Sequence, residues 1–222
     1  HFAAHIAVRE TVEWDERQEK DVAARQERLG ALVLGEKPLA SPSREAVQAA
    51  LLAAVRQRGL AAVGLDENAE TLRRRGAALR IALGEDWPDL SDEALLARLE
   101  EWLPAGEARG LGALRRLDYA SAIRNLLPWE QQRALERLAP THVEVPSGSR
   151  IRIDYADPAQ PVLAVKLQEM FGLAQTPAIA DGHIALSLHL LSPAGRPLQV
   201  TGDLAGFWRS SYAEVRKEMR GR

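Results

Sequence analysis

Residues 143–171 read VEVPSGSRIRIDYADPAQPVLAVKLQEMF. A short strand runs into a Pro146-Ser147-Gly148 turn, an alternating strand follows, and an acidic, proline-containing turn closes it. The remainder has the spacing of an amphipathic helix. In Arg150–Tyr155 the residues Ile151, Ile153 and Tyr155 fall on one face and Arg150, Arg152 and Asp154 on the other, the period-2 pattern of a strand with one buried and one wet side. Two arginines in a row suit a phosphate or an acidic partner, although solvent is the usual fate of such a face. Asp154 and Asp157 are the one carboxylate pair that invites acid–base or cation chemistry. The plainer reading is that Asp157-Pro158 makes a turn and caps the helix that follows. The alternating oxygens, internal glycine and closing glutamate of an EF-hand are absent.

Downstream of this stretch, Ile184, Leu186, Leu188 and Leu190 alternate with Ala185, Ser187, His189 and Leu191, the pattern of a strand. Ser192-Pro193-Ala194-Gly195 is turn chemistry and Leu198–Thr201 the return strand of a hairpin. Phe207, Trp208, Ser211, Tyr212, Val215 and Met219 mark a terminal amphipathic helix, on which Trp208 and Tyr212 read as core rather than as a stacking platform for single strands.

Upstream, residues 41–140 are helical in pattern. Ser41-Pro42 serves as N-cap and first position of a helix with Ala46, Val47, Ala50, Leu51, Ala54 and Val55 on one stripe, stopped by Gly59. Asp66 or Asn68 caps a second helix through Leu72, Leu79 and Leu83 that ends at Gly84, with Gly76 as an internal weakness of about 1 kcal/mol relative to Ala. Ser91 opens a third over Leu95, Leu96, Leu99, Trp102 and Leu103. After a loop at 104–112, Pro128 starts a last helix over Trp129, Leu135 and Leu138, ended by Pro140. Residues 1–40 read as strands: Ile6, Val8, Val12 and Trp14 share one parity, Asp15–Lys20 is a hairpin loop, and Val22–Leu34 returns around Gly30. A helix over Glu16–Leu29 is the rival there, and Gly35–Pro42 reads as a linker.

The composition, 46% hydrophobic and 27% charged over 222 residues, is that of a globular chain able to bury a core. A formal net charge of −2 gives no global attraction to polyanions, so any such site must be a local patch. With no cysteine there are no disulfides, thiol nucleophiles or thiolate zinc sites, which fits a reducing cytoplasm. No apolar run reaches the ~18 residues of a membrane span, so no membrane partner is expected. Neither GxxxxGK followed by Ser or Thr nor GxGxxG occurs, and the five histidines lack metal-ligand spacing. The chain lacks an initiator Met and begins within a strand-like pattern, which points to a piece of a longer polypeptide.

Four runs carry a resemblance: ETVEWDERQEKDVAARQERLGALVLGEKPL, LRRLDYASAIRNLLPWEQQRALERLAPTHVEVPSGS, PSGSRIRIDYADPAQPVLAVKLQEMFGL and LLSPAGRPLQVTGDLAGFWRSSYAEVRKEMRGR. Together they resemble the C-terminal region of the bacterial HrpB-type helicases, DEAH-box ATPases of superfamily 2 that act on RNA or other nucleic acid. The resemblance implies a non-catalytic accessory region, because the phosphate loop, DEAH box and arginine fingers of that family have no counterpart here. It also places ATP and Mg in motor domains outside this chain, leaves the chain itself without catalytic residues, cofactor or metal, and makes those motor domains its partner. The residues proposed to touch single-stranded RNA or DNA are Arg150, Arg152, Lys166 and Arg196, with a protein–protein interaction module as the alternative. The expected fold is α+β: a partial OB-like β segment at 1–40, a helical region at 41–140, and mixed antiparallel strands with helices at 141–222.

Overall fold

In the computed structural model, residues 6–15, 20–106, 111–114 and 116–220 are described. Their contacts group into two compact units, His1–Glu70 with Ser91–Leu126 and Thr71–Leu90 with Leu127–Arg222. Each is built from segments far apart in sequence.

The first unit opens with an antiparallel sheet of β1 (Ile6–Asp15), β2 (Lys20–Leu29) and β3 (Leu32–Pro38). Of the Glu16–Leu29 run with its rival helical reading, the described part, Lys20–Leu29, is strand because β2 is bonded on both sides, pairing Thr11 with Ala24 and Ala24 with Pro38. Residues 16–19, within the anticipated hairpin loop, lie outside the described residues, as does the side chain of Trp14. The β2–β3 turn uses Gly30 at φ +60°, a backbone region that costs glycine nothing. The supposed linker from Gly35 is strand as far as Pro38, since Gly35, Glu36 and Lys37 all pair with β2.

Helix α1 (Arg44–Arg58) is capped by Ser43 and not by Ser41, because the Ser43 hydroxyl accepts the Ala46 N–H at 3.2 Å. The Ser43 amide in turn donates to Glu10 at 2.7 Å and ties the cap to β1. That bond holds the Glu10 carboxyl below its ordinary range. Leu51, Leu52 and Val55 form the buried face of α1. Ser91 caps α3 (Asp92–Ala97), and the chain breaks at Arg98 before α4 (Leu99–Trp102). After α5 (Leu111–Leu114), Asp118 caps α6 (Tyr119–Arg124) through the Ser121 N–H at 3.0 Å. Tyr119 is buried, meets Trp102 edge-on at 6.0 Å, and donates its hydroxyl to the Leu114 carbonyl at 2.6 Å.

The chain enters the second unit along α2 (Glu67–Leu83), which starts at an Asp66 cap bonding the Ala69 N–H at 2.8 Å. A Cβ at Gly76 would stand 2.7 Å from Leu90 Cδ1, so the buried Leu90 side chain must shift for any larger residue. Arg75, 3% exposed, donates to the carbonyls of Leu135 and Ala139 at the end of α7 (Trp129–Leu138). Trp129 does not join the buried face with Leu135 and Leu138, because it is 70% exposed. Nine residues separate it from Leu138, and at about 100° per residue that places the two on opposite sides of the helix.

A five-stranded sheet follows in the order β10 (Pro197–Thr201), β9 (Ser187–Leu191), β6 (Val162–Lys166), β5 (Arg150–Asp154), β4 (His142–Glu144). Three neighbouring pairs are antiparallel and the pair β6–β9 is parallel, which makes the sheet mixed. The amphipathic helix anticipated after the Asp157-Pro158 turn is instead β6 and a short 3₁₀ turn over Leu167–Met170. A short apolar run fits both periods. Here Val162-Leu163-Ala164-Val165 is β-branched at its ends, and β5 and β9 offer bonding partners on either side, so pairing decides it. Leu163 and Val165 face inward with Ile153, Leu188 and Leu190, all buried. The strand expected across residues 184–191 divides into β8 (Ile184–Ala185), which pairs with β7 (Ala178–Ile179), and β9. The division falls at Leu186, whose N–H turns to the Pro177 carbonyl. The terminal helix likewise divides at Ser210-Ser211 into α8 (Leu204–Arg209) and α9 (Tyr212–Arg220). Phe207 and Val215 are its buried anchors, and the side chain of Met219 is outside the described residues.

Candidate nucleic-acid interface

The hairpin carrying Arg150 and Arg152 folds as the sequence suggests. Gly148, at φ +84°, closes the turn through its N–H to the Val145 carbonyl at 2.8 Å. Ile153 and Tyr155 are buried and Ile151 half-buried, while Arg150, Arg152 and Asp154 are exposed. Tyr155 donates to the Pro140 carbonyl at 2.7 Å, and burial raises its phenol above the ordinary value.

Register decides which cations meet. The β5–β6 pairs Ile153–Leu163 and Asp154–Val162 lay the start of β5 beside the end of β6, so Arg150 and Lys166 stand at the same end of the sheet and on the same outward face. Lys166 is level with Leu191 of β9, and Leu191 with Pro197 of β10. Arg196 sits in the turn before Pro197, where its N–H bonds the Ser192 hydroxyl at 3.1 Å. Arg150 and Lys166 thus share one exposed sheet face, and exposed Arg196 sits in the turn at the same end of the sheet. No ion pair among the described residues engages the side chains of Arg150, Lys166 or Arg196.

Arg152 lies apart from this row. It is level with His142 of β4, and its guanidinium reaches the Thr71 hydroxyl at 3.3 Å. Its neighbours are also less favourable to an anion, because Asp154 is next along the same face. Glu144 stands directly across from Arg150. The cationic row therefore has Glu144 across from Arg150 on one side and Glu169, beside Ser149, just past the end of β6.

The aspartates have local duties. Asp154 accepts the Ala156 N–H at 2.8 Å and Asp157 the Ala159 N–H at 2.9 Å, the side-chain-to-backbone bonds of tight turns. What they precede is β6, not a helix. Among the described residues no group of three His, Asp or Glu side chains could hold a metal ion, and no helix is long and apolar enough to cross a membrane. Residues that sequence reasoning passed over lie next to the row. Phe171 is 49% exposed and contacts Trp208 and Tyr212, with ring centroids 5.9 and 6.1 Å apart. Its place at the end of a supposed helix hid it.

The second unit is thus α+β, a mixed sheet with short helices and exposed cations on the sheet's outward face. The family model described as "ATP-dependent helicase C-terminal" matches residues 99–222, and the chain belongs to that helicase family. A second model, "ATP-dependent RNA helicase HrpB, connector region", matches residues 5–39.

The ATP-dependent RNA helicase HrpB of Escherichia coli (strain K12) is 45% identical over 216 residues, covering 96% of this chain and 27% of that protein. Two solved structures agree. The E. coli DExH-box NTPase HrpB matches with a TM-score of 0.84 at 44% identity, over 99% of this chain and 28% of that one. The Escherichia coli DEAH/RHA helicase HrpB matches with a TM-score of 0.80 at 43% identity, over 97% of this chain and 28% of that one. The chain therefore spans a little over a quarter of the relatives it matches.

Proposed function

We propose that this chain is a non-catalytic accessory region of an ATP-dependent helicase, one that packs on the motor domains of the same polypeptide and guides a single nucleic-acid strand through phosphate contacts. ATP and Mg belong, on this reading, to the motor domains. The observation that carries it is that register sets Arg150 and Lys166 side by side on an exposed sheet face, with Arg196 in the turn at the same end. Lysine and arginine contacts to phosphate position a strand without reading its sequence, which is what a translocating motor requires.

The test is fluorescence anisotropy on the full-length helicase with a single-stranded RNA, titrated at several salt concentrations. Each phosphate contact contributes about 0.7 to the slope of log affinity against log salt for a single strand. The triple variant Arg150→Ala/Lys166→Ala/Arg196→Ala is expected to lower that slope by about 2. An unchanged affinity and slope would remove the guiding role.

One observation favours the alternative of a protein-interaction module. Leu32, Val33 and Leu34 on β3 are 66%, 46% and 53% exposed, an apolar hairpin arm that suits a protein surface better than a phosphate chain. Leu32→Ser/Leu34→Ser weakening the association with separately expressed motor domains, at equal RNA affinity, is the result this reading requires.

A further inference from the structure

Beside the cationic row lies a small aromatic cleft. Phe171, Gly172, Leu173, Ala174, Trp208 and Tyr212 line a recess of about 340 Å³. Its floor is fixed: Trp208 donates its indole N–H to the Leu173 carbonyl at 2.8 Å, and the rings of Trp208 and Tyr212 meet edge-on at 5.2 Å. Phe207, buried beneath, lies 5.1 Å from Trp208 and 6.2 Å from Tyr212. Phe171 stands over this group with half of its surface in solvent. A core ring would be covered, whereas Phe171 rests against two rings and keeps half its surface open.

The cleft and the row share one end of the sheet. Lys166 leads through the single 3₁₀ turn of Leu167–Met170 directly into Phe171. Gly172 lies against the β4–β5 turn, where a Cβ built on it would be 4.0 Å from Pro146. In the same place Ser149, next to Arg150, reaches Glu169 at 3.5 Å. The helices that carry the rings also carry cations, with Arg209 following Trp208 and Arg216 one turn beyond Tyr212, both exposed. Cations along a path with aromatic faces at its side are the two parts of a sequence-tolerant single-strand site.

The geometry points to a base-stacking subsite: an unpaired base of the strand whose phosphates lie on Arg150, Lys166 and Arg196 stacks on the exposed face of Phe171. This rests on the phosphate reading above and adds to it a recognition of the base itself. Any of the four bases offers the π-face required, so the subsite holds the strand without choosing its sequence.

The experiment uses the full-length helicase with two single strands of equal length and phosphate number, one oligouridylate and one carrying abasic residues throughout. Phe171→Ala is expected to weaken oligouridylate binding about tenfold and leave the abasic strand unchanged, while Phe171→Tyr retains wild-type affinity for both. Exposure of Phe171 makes the alanine variant safe for folding, and an unchanged melting temperature checks it. If the wild type binds both strands equally, or Phe171→Ala moves neither affinity, the stacking inference is overturned and the cleft is left to a protein contact. The phosphate reading fails separately, when the triple cation variant leaves the abasic strand's affinity and salt slope unchanged.

Discussion

Arg75 is the residue on which the second unit's helical layer depends most sharply. At 3% exposure it donates to the Ala139 carbonyl at 2.5 Å and the Leu135 carbonyl at 3.3 Å, and it pairs with Glu136 at 2.9 Å. The Ala139 carbonyl lies just past the last turn of α7, where C=O groups lack helical partners, while the Leu135 carbonyl also accepts the Ala139 N–H at 3.0 Å. Bonds from a charged donor contribute about 1.5–3 kcal/mol each, and the longer one stands at the bottom of that range. The pair with Glu136 adds below about 1 kcal/mol, because that side chain is 51% exposed and solvent screens it. Arg75→Met keeps the stem, recovers the guanidinium's desolvation and leaves the Ala139 carbonyl orphaned, so the expected net loss is about 3 kcal/mol. The assay is hydrogen–deuterium exchange of the α2 and α7 peptides in the full-length protein, where that loss accelerates exchange by about 100-fold if both helices open together. Arg75→Lys should restore less than half, since an ammonium is a point charge without the planar fork. A loss below about 1 kcal/mol, or full rescue by lysine, would refute the clamp.

The other expectations are narrower. Gly76→Ala gains about 1 kcal/mol of helix propensity but drives a Cβ into Leu90 at 2.7 Å. Overpacking costs about 1–3 kcal/mol, so thermal melting should show the variant to be less stable by about 1 kcal/mol. Asp118→Ala removes the α6 cap and should lower the melting temperature in the same assay. The carboxyl of Asp118 is held below its ordinary range first by the Ser121 hydroxyl and then by the Ser121 N–H. That contribution is full above the ordinary aspartate pKa and is lost as pH falls through the depressed value. Tyr119 behaves in the opposite sense. Burial pushes its phenol up to about 12 from 10.0, so the neutral form is favoured in the fold. Its contribution is full below pH 10 and drains as pH rises toward 12, which an alkaline melting series followed by tyrosinate absorbance should show, with Tyr119→Phe shifting the transition upward.

Legibility followed the range of the forces involved. Caps and turns announce themselves locally, and Asp66, Ser91, Gly59, Gly84 and the Pro146-Ser147-Gly148 turn stand where their chemistry places them. The alternation in Arg150–Tyr155 and Leu186–Leu190 survives because one face is buried whatever lies across from it. Long-range pairing was silent. Residues 162–166 satisfy both periods, and only β5 and β9, the latter more than twenty residues downstream, make them a strand. Trp129 shows the converse error, a large apolar residue assigned to the core although the helical angle to Leu138 sends it outward. In the sequence Arg75 is simply the last of three consecutive arginines, Arg73, Arg74 and Arg75. Its burial follows from where α7 ends, with the Ala139 carbonyl 64 residues away in sequence.

The misread segment is also the one that builds the candidate interface, and this is more than coincidence. A helix over residues 161–171 would turn Lys166 through about 100° per residue and part it from Arg150. As an inner strand, β6 instead holds Lys166 between the β5 arginine and the β9–β10 turn of Arg196, with neighbouring strands about 4.8 Å apart. The same strand, ending in a 3₁₀ turn, delivers half-exposed Phe171 past the end of the sheet rather than to its core. One long-range pairing thus places both the cations and the exposed ring. Neither Lys166 nor Phe171 carries a local signal of its role. What gathers them is the parallel register of β6 on β9, so a substitution that disrupts that pairing should scatter the cations and the ring together, while one on the β1–β3 sheet should leave both in place.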